Sequence, residues 1–178
     1  NVRDKLFMID CGEGAQLQFR KSHLKFSRLN HIFISHLHGD HCFGLLGLIS
    51  TLNLLGRTAE LHIHSPKGLE TLLTPMLDFF NRQMTYKVLF HEFDTKEPML
   101  IYEDRSLTVT TIPLRHRMPC CGFLFAEKRR PNHIIREMVD FYQVPVYELN
   151  RIKNGADYVT PEGKTVSNNL LTRPSAPS

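Results

Sequence analysis

The sequence predicts an α/β protein in which helices cover mixed β-sheets. Two observations predict this class. Short apolar segments rich in β-branched and aromatic residues, such as NHIFIS at 30–35, are typical of buried strands. They alternate with longer stretches such as 67–80, whose apolar residues recur with helical spacing. Helices layered on sheets bury both kinds of apolar face. With 178 residues, 42% of them hydrophobic and 22% charged, the chain is long enough for one sizeable core.

The predicted elements follow in a regular order. An apolar run that ends at Asp10 is a strand, and the turn GEG at 12–14 leads the chain into a short helix. Gly56 closes the long helical stretch after the second strand. A charged turn at 103–105 separates the strands of a hairpin, so the later part is more purely β. In chain order we predict strands at 5–9, 30–35, 60–64, 86–93, 99–102, 106–113 and 122–126, and helices at 15–21, 42–55 and 67–80.

The character of the sequence changes after Ala126 and Glu127. From Lys128 onward the chain opens with the basic letters KRRP, continues into a helical stretch at 133–142, and then reads VPVYELNRIKNG. This part holds eight Lys and Arg against five Asp and Glu, a balance of +3 out of +4 for the whole chain. We therefore predict a core domain at 1–127 that lacks its ends, followed by a basic arm at 128–178.

Composition limits the cellular context. Four cysteines, two of them adjacent, have no repeated spacing and do not form a disulfide framework, which indicates a reducing compartment and a cytoplasmic protein. They are Cys11, Cys42, Cys120 and Cys121. The longest apolar run, at 45–55, is too short to span a bilayer, so we expect a soluble protein. The abrupt start at Asn1 and the loop-like end predict that residues are missing from both ends.

The run HLHGDH after the second strand is the strongest chemical signal. In an extended chain, residues i and i+2 point the same way, so His36 and His38 can reach one metal ion, and two imidazoles suit zinc. Gly39 allows a sharp turn, after which Asp40 and His41 can face a second ion, with Asp40 also placed to cap the next helix. The alternative is a polar loop without a role, but three His and one Asp within six residues argue against it.

The remaining histidines are weaker candidates. His116 follows a predicted strand and can return to complete the ligands of the first metal, although a single histidine there is more often an ordinary surface or core residue. His62 and His64 also have i, i+2 spacing, but they lie inside a strand without an acidic neighbour, and we interpret them as a plain sheet face. No role is predicted for His23, His31, His91 and His133.

Three motifs carry a family resemblance. They are DCGEGAQ at 10–16, IFISHLHGDHCFGLLGL at 32–48 and PLRHRMPCCGF at 113–123, and together they resemble the tRNase Z family of tRNA 3′ processing ribonucleases. HxHxDH alone marks the whole metallo-β-lactamase superfamily, whereas the three motifs in this order and spacing are narrower. The resemblance spans nearly the whole chain and weakens in the arm.

The resemblance implies a metallo-β-lactamase αββα sandwich, of which the chain covers the first half to two thirds. It implies an endoribonuclease that cuts precursor tRNA just after the discriminator nucleotide and leaves a 3′ hydroxyl. Two zinc ions per subunit, or manganese in their place, and a homodimer are implied as well. By the same resemblance, His36, His38 and His116 are ligands of the first ion. Asp40 and His41 begin the second site, and Asp40 is the catalytic residue that orients or deprotonates the attacking water.

The chain departs from the family pattern in two places. The family's bridging Asp and a further His ligand come after His116, where this chain has only His133, so we expect the second site to be completed by missing residues. Val144-Pro145-Val146 stands where the family's arm has Gly-Pro, although 151–155 still resembles its basic motif. Basic arm residues are predicted to bind RNA phosphates, with a solvated charged surface as the alternative. They are Lys128, Arg129, Arg130, Arg151 and Lys153.

Two other interpretations stay open at the level of sequence. The first is another enzyme of the same fold, a phosphodiesterase or sulfatase acting on small molecules, which needs the metal ligands but no RNA-binding arm. The second is a non-catalytic RNA-binding protein that has lost its metals. The intact HLHGDH run argues against the second, whereas the choice between the first and a tRNA-processing enzyme depends on what the segment 128–178 does.

Overall fold

A computed structural model describes residues 5–128 and 130–175. The chain divides into two compact units, Asn1–Glu127 and Lys128–Ser178. Each unit contains buried apolar clusters of its own. None of the described helices is both long enough and apolar enough to cross a membrane.

The first unit contains a parallel sheet. Its strands are β1 (Leu6–Ile9), β2 (Leu29–Phe33), β3 (Leu61–Pro66) and β4 (Val88–Phe93), side by side in this order. All four strands are predicted from the sequence to within two residues at each end. Parallel neighbours need long crossover connections, which accounts for the alternation of strands and helices along the chain.

Helices pack on one face of this sheet. They are α1 (Ala15–Lys21), α2 (Gly39–Cys42), α3 (Gly44–Leu54) and α4 (Leu69–Phe80). The predicted bounds of α1 are confirmed, whereas the single helix predicted at 42–55 is wrong because two helices meet at Phe43. The chain breaks there since the Gly44 N–H donates to the Cys11 carbonyl at 2.8 Å instead of continuing the helical ladder. Helices and strands share a core that includes Phe19, Leu29, Ile32, Leu45, Leu48, Ile63 and Leu73.

The other face of the parallel sheet packs on a second, antiparallel sheet. Its strands are β5 (Leu100–Glu103), β6 (Leu107–Leu114) and β7 (Cys120–Glu127), in this order. Aromatic rings fill the space between the sheets: the ring centroid of Phe33 lies 5.5 Å from that of Phe123 and 5.4 Å from that of Phe125. The unit is therefore layered helix, sheet and sheet, in agreement with the predicted α/β class.

The second unit is small and mixed. Its elements are β8 (His133–Ile134), α5 (Arg136–Phe141), α6 (Leu149–Lys153), β9 (Tyr158–Val159), β10 (Thr165–Val166), α7 (Asn168–Leu171) and β11 (Thr172–Arg173). The helix predicted at 133–142 begins only at Arg136, because His133 and Ile134 pair with β11 instead. Ile152 and Leu171 are fully buried and form the centre of its core.

Candidate metal centre

The HLHGDH run lies just beyond the carboxyl end of β2. The Ile34 N–H donates to the His64 carbonyl at 2.8 Å, which keeps the chain beside β3 for one residue past the strand. On the other side, the Asp10 N–H donates to the Phe33 carbonyl at 2.8 Å. The loop therefore starts between the ends of β1 and β3, at the edge where open parallel sheets commonly bind ligands.

Three histidines converge at this edge. Ligand atoms of His36, His38 and His116 all lie within 4.8 Å of one another, and this is the one such group of metal-ligating side chains among residues 5–128 and 130–175. The His116 ring centroid lies 4.9 Å from that of His36 and 5.1 Å from that of His38. His36 is buried, at 6% exposure, whereas His116 is exposed. The arrangement offers a metal two loop ligands and a third from a different sheet.

The hairpin between β6 and β7 delivers His116. Leu114 and Cys120 are paired at the end of that hairpin, so five residues form its loop and His116 is the second of them. Cys121, which follows the loop, holds the hairpin against the loop after β2, because its N–H donates to the Ser35 carbonyl at 3.1 Å. Packing of the two sheets thus sets the distance between His116 and the HLHGDH loop.

A carboxylate behind the loop orients two of its histidines. Asp10 accepts hydrogen bonds from the Ser35 N–H at 2.7 Å, the Ser35 hydroxyl at 2.9 Å and His41 Nδ1 at 2.8 Å. The Ser35 oxygen also lies 2.9 Å from His36 Nδ1. Since the hydroxyl hydrogen is directed to Asp10, Nδ1 of His36 is the donor in this contact, which leaves Nε2 with a free lone pair. Such outer hydrogen bonds typically fix the tautomer of metal-binding histidines.

Asp10 belongs to the DCGEGAQ motif, but the sequence alone predicts no role for it. Its backbone is in the left-handed region, with a φ of 56°. That conformation turns the chain immediately after β1 and brings the carboxylate beside the neighbouring loop. The signal that points to Asp10 is an acid at the end of a parallel strand, two residues before Gly12 and next to the strand that leads to the histidines.

Asp40 and His41 lie at the start of α2 and contact each other. Asp40 Oδ2 is 3.3 Å from His41 Nε2, and the Asp40 side chain is 79% exposed. The His41 ring centroid is 4.0 Å from that of His36. Asp40 does not cap the helix as expected, because α2 begins at Gly39 and its N-cap residue is His38. The carboxylate is consequently free of that backbone role and faces solvent beside the histidines.

Close backbone packing holds this loop against the turn after β1. A Cβ on Gly12 would lie 2.0 Å from the carbonyl oxygen of Asp40, so no larger residue fits there without displacing the loop. The Cys11 N–H donates to the His41 carbonyl at 2.7 Å across the same contact. The DCGEG and HLHGDH motifs are therefore two halves of one structural unit.

The donor set suits a borderline metal such as zinc. Imidazoles bind metals in the neutral form, and the pKa of His36 is lowered by burial first and then by the neighbouring His41, His38 and His116. His36 Nε2 and His38 Nδ1 lie 3.0 Å apart, which brings two ligand nitrogens to one point. The residues present thus fit a metal ion held by three imidazoles.

The predicted RNA-binding residues belong to the second unit. Arg130 and Lys153 line a common cavity of about 110 Å³ together with Asn132 and Gly155. Arg151 is held by its own unit: Nε lies 3.1 Å from Glu148 Oε2, and the guanidinium donates to the Asp157 carbonyl at 3.1 Å. Lys128 opens the second unit. Arg129 lies outside the described residues.

His62 and His64 lie on a sheet face, as predicted, and belong to a second group of histidines there that the sequence did not predict. Cross-strand register places His31 opposite His62, and His64 opposite His91, so four imidazoles form a ladder across β2, β3 and β4. Their rings stack at centroid distances of 4.7 and 4.8 Å along these pairs. His31 Nδ1 and His64 Nε2 lie 3.2 Å apart, and His62 Nδ1 and His91 Nε2 lie 2.9 Å apart. Sequence spacing missed this ladder because only sheet register brings the four residues together.

A parallel sheet with a histidine cluster at the carboxyl end of one strand, completed from a second sheet, defines an α/β protein with a candidate metal site. The family model described as a β-lactamase superfamily domain matches residues 6–134, and the chain belongs to this superfamily. The predicted metallo-β-lactamase fold is thereby confirmed.

Within the superfamily the chain is similar to ribonucleases Z. It is 80% identical over 177 residues to Ribonuclease Z of Bacteroides fragilis, which covers 99% of this chain and 58% of that protein. It is 79% identical over 178 residues to Ribonuclease Z of Bacteroides thetaiotaomicron, covering 100% of this chain and 56% of that protein. The crystal structure of the short form of human tRNase Z matches with a TM-score of 0.66 at 32% identity, covering 73% of this chain and 57% of that one. The chain thus spans somewhat more than half the length of these relatives.

Proposed function

We propose that the protein containing this chain is a zinc-dependent endoribonuclease that cuts precursor tRNA 3′ of the discriminator nucleotide and leaves a 3′ hydroxyl. The convergence of His36, His38 and His116 in a chain 80% identical to a protein named Ribonuclease Z carries this proposal. The phosphodiester of RNA is the substrate bond, and water is the nucleophile.

The proposal gives the loop residues separate roles. His36, His38 and His116 hold one zinc ion, and Asp40 and His41 begin a second site that further residues of the protein complete; manganese is the alternative metal. Zinc in such a site supplies Lewis acidity that lowers the pKa of water to about 7 and offsets charge on the phosphoryl oxygens.

Asp40 is the proposed catalytic residue. Its carboxylate is exposed and caps no helix, so an oxygen is available to accept a proton from the attacking water. His41 lies between Asp40 and Asp10, with contacts of 3.3 and 2.8 Å, which fix its ring. Asp10 is therefore a positioning residue that acts through His41 and through Ser35.

Metal removal tests the proposed function. Treating the full-length protein with a chelator should abolish cleavage of a 3′-extended precursor tRNA, and added zinc should restore it. The reason is that the three imidazoles supply no Lewis acidity without a bound ion. His116→Ala should lower the zinc content measured by mass spectrometry and the activity together. His23→Asn is a matched control, since His23 is exposed and asparagine tolerates its positive φ of 56°. Full activity of metal-free protein would refute the proposal.

The second unit is proposed to bind the tRNA away from the cut. Its charge balance of +3 supports contacts with phosphates, which dominate affinity for nucleic acids and make it salt-dependent. Lys153 and Arg130 share a cavity, and we propose that these two residues, together with Lys128, Arg129 and Arg151, contact the backbone of the RNA.

Neutralising the arm should weaken substrate binding more than chemistry. We expect Arg151→Gln with Lys153→Gln to raise KM for precursor tRNA about tenfold, since each lost phosphate contact weakens binding, while kcat changes little. Steady-state kinetics on precursor tRNA and on a small phosphodiester measure this. Glu148 loses its partner in Arg151→Gln, so Glu148→Gln alone is the control for local structure. Equal losses on both substrates would contradict an RNA-specific role for the arm.

We further propose a homodimer in the cytoplasm. The four cysteines are unpaired, which supports a reducing compartment. The outer side of α4 is apolar although exposed, with Leu72, Met76, Phe79 and Phe80 between 48% and 65% accessible. A helix with apolar residues on both sides normally buries both, so this side supports contact with a second subunit.

A further inference from the structure

A cleft beside the metal centre carries unbalanced positive charge. Its volume is about 390 Å³, and it is lined by the loop that follows β4 and by the hairpin loop between β6 and β7. His116 is one of its lining residues, so the cleft opens directly onto the proposed metal site. Three basic side chains line the same cleft: Lys96, Arg115 and Arg117.

The acidic side chain in the cleft does not neutralise these cations. Asp94 is the one acid among the lining residues, and its Oδ1 accepts the backbone N–H of Lys96 at 3.0 Å. Among residues 5–128 and 130–175, no ion pair includes Lys96, Arg115 or Arg117. All three are exposed. Three cations against one carboxylate leave a balance of about +2 in a concave site, which favours an anion.

The position of the two arginines connects this charge to the metal centre. Arg115 and Arg117 flank His116 in a five-residue loop whose ends are fixed by the Leu114 and Cys120 pair. An anion that contacts the arginines therefore lies within a residue or two of the proposed metal ligand. Consecutive phosphates of a duplex strand advance about 3.4 Å per step along the helix axis, which is close to the length of one extended residue, so a neighbouring phosphate falls on the same scale.

We infer that Lys96, Arg115 and Arg117 bind a phosphate of the RNA backbone that flanks the scissile phosphate, and so position the RNA strand across the metal centre. The inference rests on the proposed function and extends it from the second unit to the first. Arginine suits this task because its planar fork pairs with two phosphate oxygens at once. The same hairpin then carries both a metal ligand and the groups that align the substrate.

The test compares two double variants of equal charge loss in the full-length protein. Arg115→Gln with Arg117→Gln removes two charges from the cleft. Arg82→Gln with Lys87→Gln removes two exposed charges from the segment that leads into β4, and the six residues of that strand separate Lys87 from the cleft by about 20 Å. Kd for a 3′-extended precursor tRNA is measured by fluorescence anisotropy in the presence of chelator across a salt series, and KM and kcat are measured with zinc.

We expect the cleft variant to weaken binding and raise KM about tenfold or more. Its slope of log Kd against log salt should be shallower by about 0.7 to 0.9, which is the contribution of the one phosphate contact that the variant loses. The β4-end variant should stay within about twofold of the wild type. Arg115→Lys with Arg117→Lys should recover most of the slope, because charge is kept. Equal changes in the two glutamine variants, or none in the cleft variant, would overturn the inference.

Uncharged phosphate analogues in the RNA identify which phosphate the cleft contacts. A methylphosphonate placed at each phosphate beside the cut removes one negative charge from the RNA. At one of these positions the penalty of the cleft variant should disappear, because its partner is already gone. A penalty that persists at both would overturn the inference. If the cleft variant bound the RNA more weakly than the wild type but the wild type did not cleave it, the proposed function would be wrong, whereas phosphate binding by the cleft would be supported.

Discussion

Asp40→Ala is expected to lower kcat for precursor-tRNA cleavage by about 10²- to 10⁴-fold while Kd for the same RNA changes by less than about threefold. This loss of rate is the usual contribution of a general base, which is the role proposed for Asp40. Binding survives because contacts with phosphates, made by basic residues and not by Asp40, dominate affinity. The Asp40 side chain is 79% exposed, so its removal leaves no buried void.

Single-turnover cleavage and anisotropy binding separate the two quantities. Asp78→Ala is a matched control, since Asp78 is an exposed carboxylate on α4 and has no contact with the metal loop in the proposed mechanism. It should retain wild-type cleavage and binding. Equal losses of cleavage and binding in Asp40→Ala would contradict this division of roles.

The second large effect concerns pH and the histidine ladder. Burial and the neighbouring imidazoles lower the pKa of His64 to about 3 and that of His31 to about 4, from an ordinary value of 6.5. Their unfolded forms therefore take up protons at a higher pH than their folded forms. The free energy of unfolding should fall as the pH decreases from about 6.5 towards 4, by about 1.4 kcal/mol per pH unit for His64. The slope from His31 should be smaller because water screens it more.

The groups around the ladder support this direction. Lys5 adds to the lowering of the His31 pKa, and Asp104 opposes it without reversing it. His62 is similarly lowered, mainly by burial and His91, with Arg57 in the same direction and Glu60 opposed. His64 Nδ1 is buried without a hydrogen-bond partner, so a proton added there would meet no acceptor.

Urea unfolding of metal-free protein at several pH values measures this slope. Gln at position 64 cannot be protonated in this range, so His64→Gln should reduce the pH slope of the free energy of unfolding by about one proton. His23→Asn, which removes an exposed histidine, should keep the full slope. An unchanged slope in His64→Gln would show that the ladder does not control acid stability.

Local pattern predicted most elements because their signals lie within a few residues. The bounds of α1 follow from the GEG turn and from helical spacing, and the strands of the parallel sheet follow from their apolar runs. The break between α2 and α3 was missed, because it depends on a hydrogen bond from Gly44 to Cys11, more than thirty residues earlier. β8 was read as helix for a similar reason, since its partner β11 lies at the far end of the unit.

In the candidate site, too, residues with local signals were predicted, whereas residues placed by distant segments were not. His36 and His38 follow from i, i+2 spacing after a strand, but His116 became convincing only through the family resemblance, because hairpin packing brings it back from a distant segment. Asp10 was missed, since its role depends on the neighbouring strand. The ladder of His31, His62, His64 and His91 was missed because it depends on the register of three strands.

Cleavage of a 3′-extended precursor tRNA by the full-length protein with zinc, with the cut mapped to single-nucleotide resolution, tests the central claim most directly. The account predicts one cut immediately after the discriminator nucleotide, a 3′ hydroxyl on the tRNA, and no cut in Asp40→Ala. Absence of this cut alongside zinc-dependent hydrolysis of a small phosphodiester would contradict it and identify an enzyme for small molecules.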